Sequence, residues 1–395
     1  MNAYFTAAEY NPFHNGHCYH IDQMRKAGAT HVVAVMSGNY VQRGEPAIFD
    51  KFRRAQAAVI GGVDLVLELP LPWAVASAER FSTGMVAVAV GTGVADGFSF
   101  GCETAELSMF QRAAALSVQP GFQEKIKDIR RDGSSYPAAA AKICGDTLAA
   151  MFSQPNNILG VEYVKALMKY DFQGHILPVQ RFAAAHDALK ACDSIASAMF
   201  IRNLLATGKM IDLPVPDGCA ELYASLIDAG FYVKDKTSYE RQLLTLLRAA
   251  EKSVYDAIPD AVGGFGDRVY RAVRQASSLE EVYALIKCKR FTFSSVRRAV
   301  LCAALGVTAD TVSRQPPYIR VLAMNDKGKS LLRQMRKQAE LPVLMRHADT
   351  ASLDGFGKKV YDLECRATDI YNTLTARLRP CGTNMTDNVF ILGEK

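Results

Sequence analysis

The sequence predicts an α/β protein: a parallel β-sheet covered by helices over residues 1–210, then a mainly helical region over 211–395. Three observations carry this reading. Short β-rich apolar runs alternate with amphipathic segments through the first hundred residues, the pattern of right-handed βαβ units. A polar, glycine-containing stretch follows the first apolar run directly and opens a helix. Beyond Leu213-Pro214-Val215-Pro216 the periodicity becomes helical almost throughout.

Residues 4–8 form the first predicted strand, and the loop 9–13 leads to His14-Asn15-Gly16-His17, which opens a helix reaching about Lys26. A second strand over 31–36 is ended by Ser37-Gly38-Asn39. Asp50 is a good N-cap for a helix over 51–60, with Phe52, Ala55 and Ala58 on its inner side. A third strand over 64–69 stops at Pro70 and Pro72, residues 74–90 are helical, and 97–100 is a fourth strand. Helices are expected over 105–117, 122–131, 136–152 and 158–169, followed by a strand over 175–179. In the second half, helices are expected over 222–230, 240–254, 265–275, 279–287, 292–305, 325–338 and 350–380, with one apolar strand over 317–323. The alternation in the first half is Rossmann-like, and ligands of such sheets lie at the carboxyl ends of the strands.

Bulk properties narrow the class. A chain of 395 residues has room for two or three domains, and its 49% apolar and 22% charged content is ordinary for a soluble globular protein. The nine cysteines are scattered without a Cys-x-x-Cys pair, against a structural zinc or a disulfide scaffold. Asn2-Ala3-Tyr4 begins a strand rather than a basic leader, and no run of about eighteen apolar residues suggests a membrane span, so a cytosolic protein is expected. A net charge of +6 permits an anionic partner. Lys and Arg are sparse in the first hundred residues outside 51–54 but dense in 287–298 and 327–346. Any nucleic acid would therefore draw on the second half.

The chemistry concentrates at the first strand-to-helix turn. A helix N-terminus at the sheet's carboxyl edge offers free backbone N–H groups to phosphate. His14 and His17 add donors, and Gly16 lets the backbone approach closely. A pair of histidines at this spacing also suits helix capping or a metal. The loop 37–46, with Gln42, Arg43 and Glu45 between glycines, is either a lid or a solvated connection. Glu68 inside an apolar strand needs a partner, and Lys51 or Arg54 can supply it. Gly101 follows the fourth strand where the backbone must bend near a bound base or ribose, and Arg181 after the strand 175–179 is placed to stack or meet phosphate. Asn156 is read as a helix cap or a ligand contact.

The run Glu9-Tyr10-Asn11-Pro12-Phe13-His14-Asn15-Gly16-His17 resembles the HIGH-type nucleotidyltransferases. More closely, the chain is similar to the bacterial tRNA(Met) cytidine acetate ligase family. The stretches 36–46, 64–70, 99–103 and 155–160 share in that likeness, which is dense to about residue 205 and looser beyond. It implies that acetate attacks the α-phosphate of ATP. The acetyl group of the resulting adenylate would then pass to the N4 amine of the wobble cytidine of elongator tRNA(Met). His14 and His17 would be catalytic. The implied ATP site comprises Ala7, Ala8, Glu9, Tyr10, Asn11, Pro12, Phe13, His14, Asn15, Gly16, His17, Cys18, Tyr19 and His20, with Gly101, Asn156, Arg181, Phe182, Ser197 and Arg202. Residues 195–202 resemble the superfamily's second motif, with Met199 where a Thr is usual. The basic segment Lys287, Lys289, Arg290, Arg297 and Arg298 would meet tRNA. Mg2+ is expected with the phosphates, no carboxylate cluster marks an all-protein metal site, and neither a membrane nor an obligate protein partner is implied. Two alternatives stay open: a small-molecule nucleotidyltransferase, and a weakly active RNA-binding relative.

Overall fold

The computed structural model describes residues 1–393 except 135, 182–197, 207–212, 262 and 289–290. The expected calls on Phe182, Ser197, Lys289 and Arg290 lie outside the described residues. Among the described residues ten strands form: β1 (Ala3–Ala8), β2 (His31–Ser37), β3 (Tyr40–Val41), β4 (Glu45–Pro46), β5 (Leu65–Leu69), β6 (Gly97–Cys102), β7 (His175–Gln180), β8 (Ile319–Asn325), β9 (Val343–Leu344) and β10 (Phe390–Leu392). The central sheet runs β10-β8-β5-β2-β1-β6-β7, with β9 also on β8 and a separate hairpin of β3 and β4. Strands β5, β2, β1, β6 and β7 are parallel, as the βαβ pattern requires. β8 pairs antiparallel with β5, and β10 and β9 lie parallel to β8.

Alternate residues of each strand enter different cores, because successive side chains point to opposite faces. Phe5, Val33, Val35, Leu65 and Leu67 join one cluster with the helices Ala78–Gly91 and Pro155–Lys169. Tyr4, Val32, Ala34, Met36 and Val66 join the other with the helices Asn15–Lys26 and Lys51–Ile60. A third cluster fills the helical half. The helix Lys51–Ile60 is capped by Asp50 as expected. The expected helix over 136–152 is instead broken at Gly145, whose φ of +69° a helix cannot contain.

The sheet crosses the expected boundary at 211, since β8 and β10 come from the second half and complete it. An ionic cluster lies within the seam between the halves. Lys51 Nζ lies 2.5 Å from Glu68 Oε1 and 3.1 Å from Glu364 Oε1, all three side chains buried, with Arg320 3.6 Å from Glu68 Oε2. Lys51 is thus the partner of Glu68, and Arg54 is not. Burial first, then the facing Glu364, pushes the Glu68 carboxyl up. The loop 37–46 is neither a free lid nor a solvated connection. Tyr40 and Val41 are buried, and the hairpin packs on the helix Phe293–Leu305: at Gly44, with φ +78°, a side chain would meet the Arg298 backbone N at 2.8 Å. Among the described residues no helix is long and apolar enough to cross a membrane.

Candidate nucleotide site

The turn from β1 into the helix Asn15–Lys26 is held from every side. Glu9 accepts the Gln42 N–H at 2.9 Å, Asn11 Oδ1 accepts that of Ile48 at 2.8 Å, and the Phe13 carbonyl accepts the Tyr223 hydroxyl at 2.9 Å. The Asn15 N–H reaches the Pro214 carbonyl at 3.0 Å. Tyr10, at φ +44°, meets Phe13 and His17 edge-on at 4.9 and 4.7 Å between ring centroids. A non-glycine residue in the left-handed region persists only where its surroundings over-determine it, and this aromatic packing does so.

Arg54 does most to shape the turn, and nothing in its local sequence announces that role beyond its place on a helix whose inner face is apolar. Its guanidinium is fully buried and donates to the backbone carbonyls of Glu9, Ser37, Gly38 and Phe49. One side chain thereby ties the exits of β1 and β2 together at the carboxyl edge of the sheet. A planar fork with five donors and no acceptor suits such a cage of carbonyls.

His14 and His17 form a reciprocal cap. His14 Nδ1 accepts the Gly16 N–H at 3.1 Å, His17 Nδ1 accepts the His14 N–H at 3.1 Å, and the rings stack at 3.8 Å. Burial first, then Arg181, lowers His14 to about 4; burial first, then His14, holds His17 well below the usual range. A neutral imidazole whose Nδ1 accepts carries its proton on Nε2. The pair therefore presents two neutral N–H donors whose tautomers are set by the helix start. The remaining expected site residues divide. His20 bonds across to β6, its Nε2 2.7 Å from Ser99 Oγ, and the Ser99 hydroxyl donates to the Leu177 carbonyl at 2.9 Å. Cys18 Sγ faces the Gly61 carbonyl at 3.9 Å, and burial pushes the thiol up to about 11. Ala7 and Ala8 close β1, Pro12 lies in the turn, and Tyr19 is half-buried on the helix.

Of the two readings of Asn156, helix cap or ligand contact, the structure removes the cap. Gln154 is the N-cap of Pro155–Lys169, and Glu103 covers the helix start, accepting the N–H groups of Asn156 at 3.2 Å and Asn157 at 2.8 Å. The Asn156 amide donates to Glu103 at 2.7 Å and accepts from Arg181 at 2.8 Å. That bond leaves Arg181 beside Gly101, its Cγ 3.2 Å from where a side chain there would begin. Arg202, on the helix Ala198–Ala206, donates to the Asn11 carbonyl at 2.7 Å and lies 3.8 Å from Glu45. Arg202 of the second motif thus meets the first motif at one end of the sheet, with the histidine donors and Arg181 around it.

The basic segment is not one surface. Arg298 is half-buried and reaches the Gln42 carbonyl at 3.5 Å, and Lys287 donates to the carbonyls of Cys288 and Phe291 at 3.2 and 2.9 Å. Arg297 is exposed.

Comparison with known proteins agrees with this geometry. The HIGH Nucleotidyl Transferase family model matches residues 1–384. The tRNA(Met) cytidine acetate ligase of Acetivibrio thermocellus is 33% identical over 97% of this chain and 98% of its own, and that of Anoxybacillus flavithermus is 35% identical over 94% of each. Among solved structures, Thermotoga maritima TmcAL bound with alpha-thio ATP superposes with a TM-score of 0.89 at 28% identity, and the apo form with 0.91 at 29%, over the whole of both chains. With its motifs gathered at one edge of a parallel sheet and its whole length matched, the chain belongs to the tRNA(Met) cytidine acetate ligase family of HIGH nucleotidyltransferases.

Proposed function

We propose that this chain is an ATP-dependent ligase that activates acetate as acetyl-adenylate and transfers the acetyl group to N4 of the wobble cytidine of elongator tRNA(Met). The observation that carries the reading is the reciprocal His14–His17 cap, which aims neutral Nε2–H donors from a helix N-terminus where a nucleotide's phosphates would lie. An acetate oxygen attacks the α-phosphorus and pyrophosphate leaves. The histidine donors stabilise the charge that builds on the phosphate oxygens, an effect worth about two to three orders of magnitude per donor. The cytidine amine then attacks the acyl carbon, AMP departs, and no protein nucleophile is required.

Residues 1–210 supply the nucleotide contacts and 211–395 the tRNA contacts, a division of labour rather than of packing, since β8 and β10 belong to the common sheet. Mg2+ accompanies the nucleotide, held on its phosphates. The chain acts in the cytoplasm.

The test supplies ATP, acetate and an elongator tRNA(Met) transcript, and reads pyrophosphate release together with N4-acetylcytidine in the digested tRNA. Both should require acetate, and only the second should require tRNA. Transfer of AMP to a phosphorylated small acceptor, without acetate, would replace this reading with a small-molecule nucleotidyltransferase.

A further inference from the structure

Beside the hairpin of β3 and β4 stands an aromatic ring that the core does not use. Phe293, the first residue of the helix Phe293–Leu305, is 54% exposed. Its aromatic neighbours go inward: Phe265 packs on Phe291 at 4.2 Å, and Tyr283 is buried. One cation lies against the exposed ring and a second stands one turn along the same helix. Lys287 Nζ lies 5.4 Å from its centroid, held there by donating to the Phe291 and Cys288 carbonyls at 2.9 and 3.2 Å. Among the described residues, two of the three ammonium donors are thereby used. Arg297, one turn on and exposed, sits over the Tyr283 ring at 5.8 Å.

This surface is mechanically joined to the nucleotide turn. The backbone of Arg297 and Arg298 packs on Gly44, Arg298 reaches the Gln42 carbonyl, and the Gln42 N–H bonds Glu9. The helix that carries Phe293 is therefore held on the same hairpin that borders the exit of β1.

Resting on the tRNA reading above, we propose that Phe293 is a stacking platform for an unpaired base of the tRNA anticodon loop, with Lys287 and Arg297 meeting the phosphates on either side of it. An exocyclic amine within a stacked loop cannot reach an adenylate, so the acceptor base or its neighbour must leave the stack. A flat ring in solvent replaces the stacking that is lost, whatever the base. The flanking cations give the platform its polyanionic partner.

The test measures binding of an elongator tRNA(Met) transcript across several salt concentrations for wild type, F293A and F293W. Stacking on one aromatic ring corresponds to about a 5- to 100-fold change in affinity, so F293A should lose that much while F293W retains wild-type binding. The slope of log affinity against log salt should stay unchanged in F293A, because no cation has been removed. Equal binding by F293A and wild type overturns the platform, as does a shallower slope or a loss in F293W matching that in F293A. The tryptophan variant keeps the aromatic face whatever truncation does to the fold. Wild-type protein that binds no tRNA refutes the tRNA reading itself, whereas bound tRNA with an indifferent F293A refutes only the platform.

Discussion

His14 and His17 hold each other in place: the Gly16 N–H donates to His14 Nδ1 and the His14 N–H to His17 Nδ1, both at 3.1 Å. Capping and catalysis are therefore not competing readings of this pair. The nitrogen that caps the helix determines which nitrogen is left to donate.

His14→Ala and His17→Ala should each lower acetate-dependent pyrophosphate release by about two to three orders of magnitude, the usual effect of losing one donor to developing charge. Each should also lower stability by about 1 kcal/mol through the lost cap. Undiminished turnover in either variant would sink the assignment.

The same pair makes the fold acid-sensitive. Burial first, then Arg181, brings both His14 and His20 down to about 4, and His17 lies lower than an ordinary histidine chiefly through burial. These groups titrate near 6.5 when unfolded, so below about pH 6.5 the unfolded chain takes up protons that the folded protein refuses. Stability present above that pH should be lost as pH falls toward 4, by about 1.4 kcal/mol per pH unit for each such group. Urea midpoints recorded from neutral pH down to 5 test this, and a flat profile contradicts it.

Lys51→Met should destabilise the protein by about 3–5 kcal/mol, because it strands two buried carboxylates. Glu68 would keep Arg320, 3.6 Å away, and Glu364 the Leu71 N–H at 2.8 Å. Equilibrium unfolding in urea measures the loss; a change under about 1 kcal/mol would show that the site repacks or takes in water.

Met199 is 54% exposed, so the residue that replaces the motif's usual Thr fills no apolar gap. Met199→Thr should leave the melting temperature unchanged. If the restored hydroxyl reaches the phosphates it should tighten ATP binding by about 1.5–3 kcal/mol. Calorimetric titration of ATP into both forms decides it, and equal binding would mean that Arg202 and its neighbours suffice.

The basic segment should split on mutation. Arg297→Ala removes an exposed cation and should make the salt dependence of tRNA binding shallower by about 0.7–0.9 in slope. Arg298→Ala removes a half-buried guanidinium that reaches the hairpin at Gln42, and should show first as lost stability. Matching salt slopes and melting temperatures for the two variants would contradict the division.

Much of this protein is legible in the sequence because its signals are local. The strands over 4–8, 31–36, 64–69, 97–100 and 175–179, the Asp50 cap and the strand-to-helix turn at His14 all declare themselves within a few neighbouring residues. Periodicity and capping depend on the chain within one or two turns. Tertiary structure decided the rest. β8 inserts antiparallel beside β5 although they lie far apart in the chain. Lys51 finds Glu364 across 313 positions, and Arg54 gathers four carbonyls from three separate turns. Asn156 becomes a link between Glu103 and Arg181 rather than a cap, and the basic segment turns one arginine inward and leaves the next one out. None of these has a local signature, because a buried charge is tolerated only where distant partners converge on it, and that convergence exists only once the sheet has closed the distance.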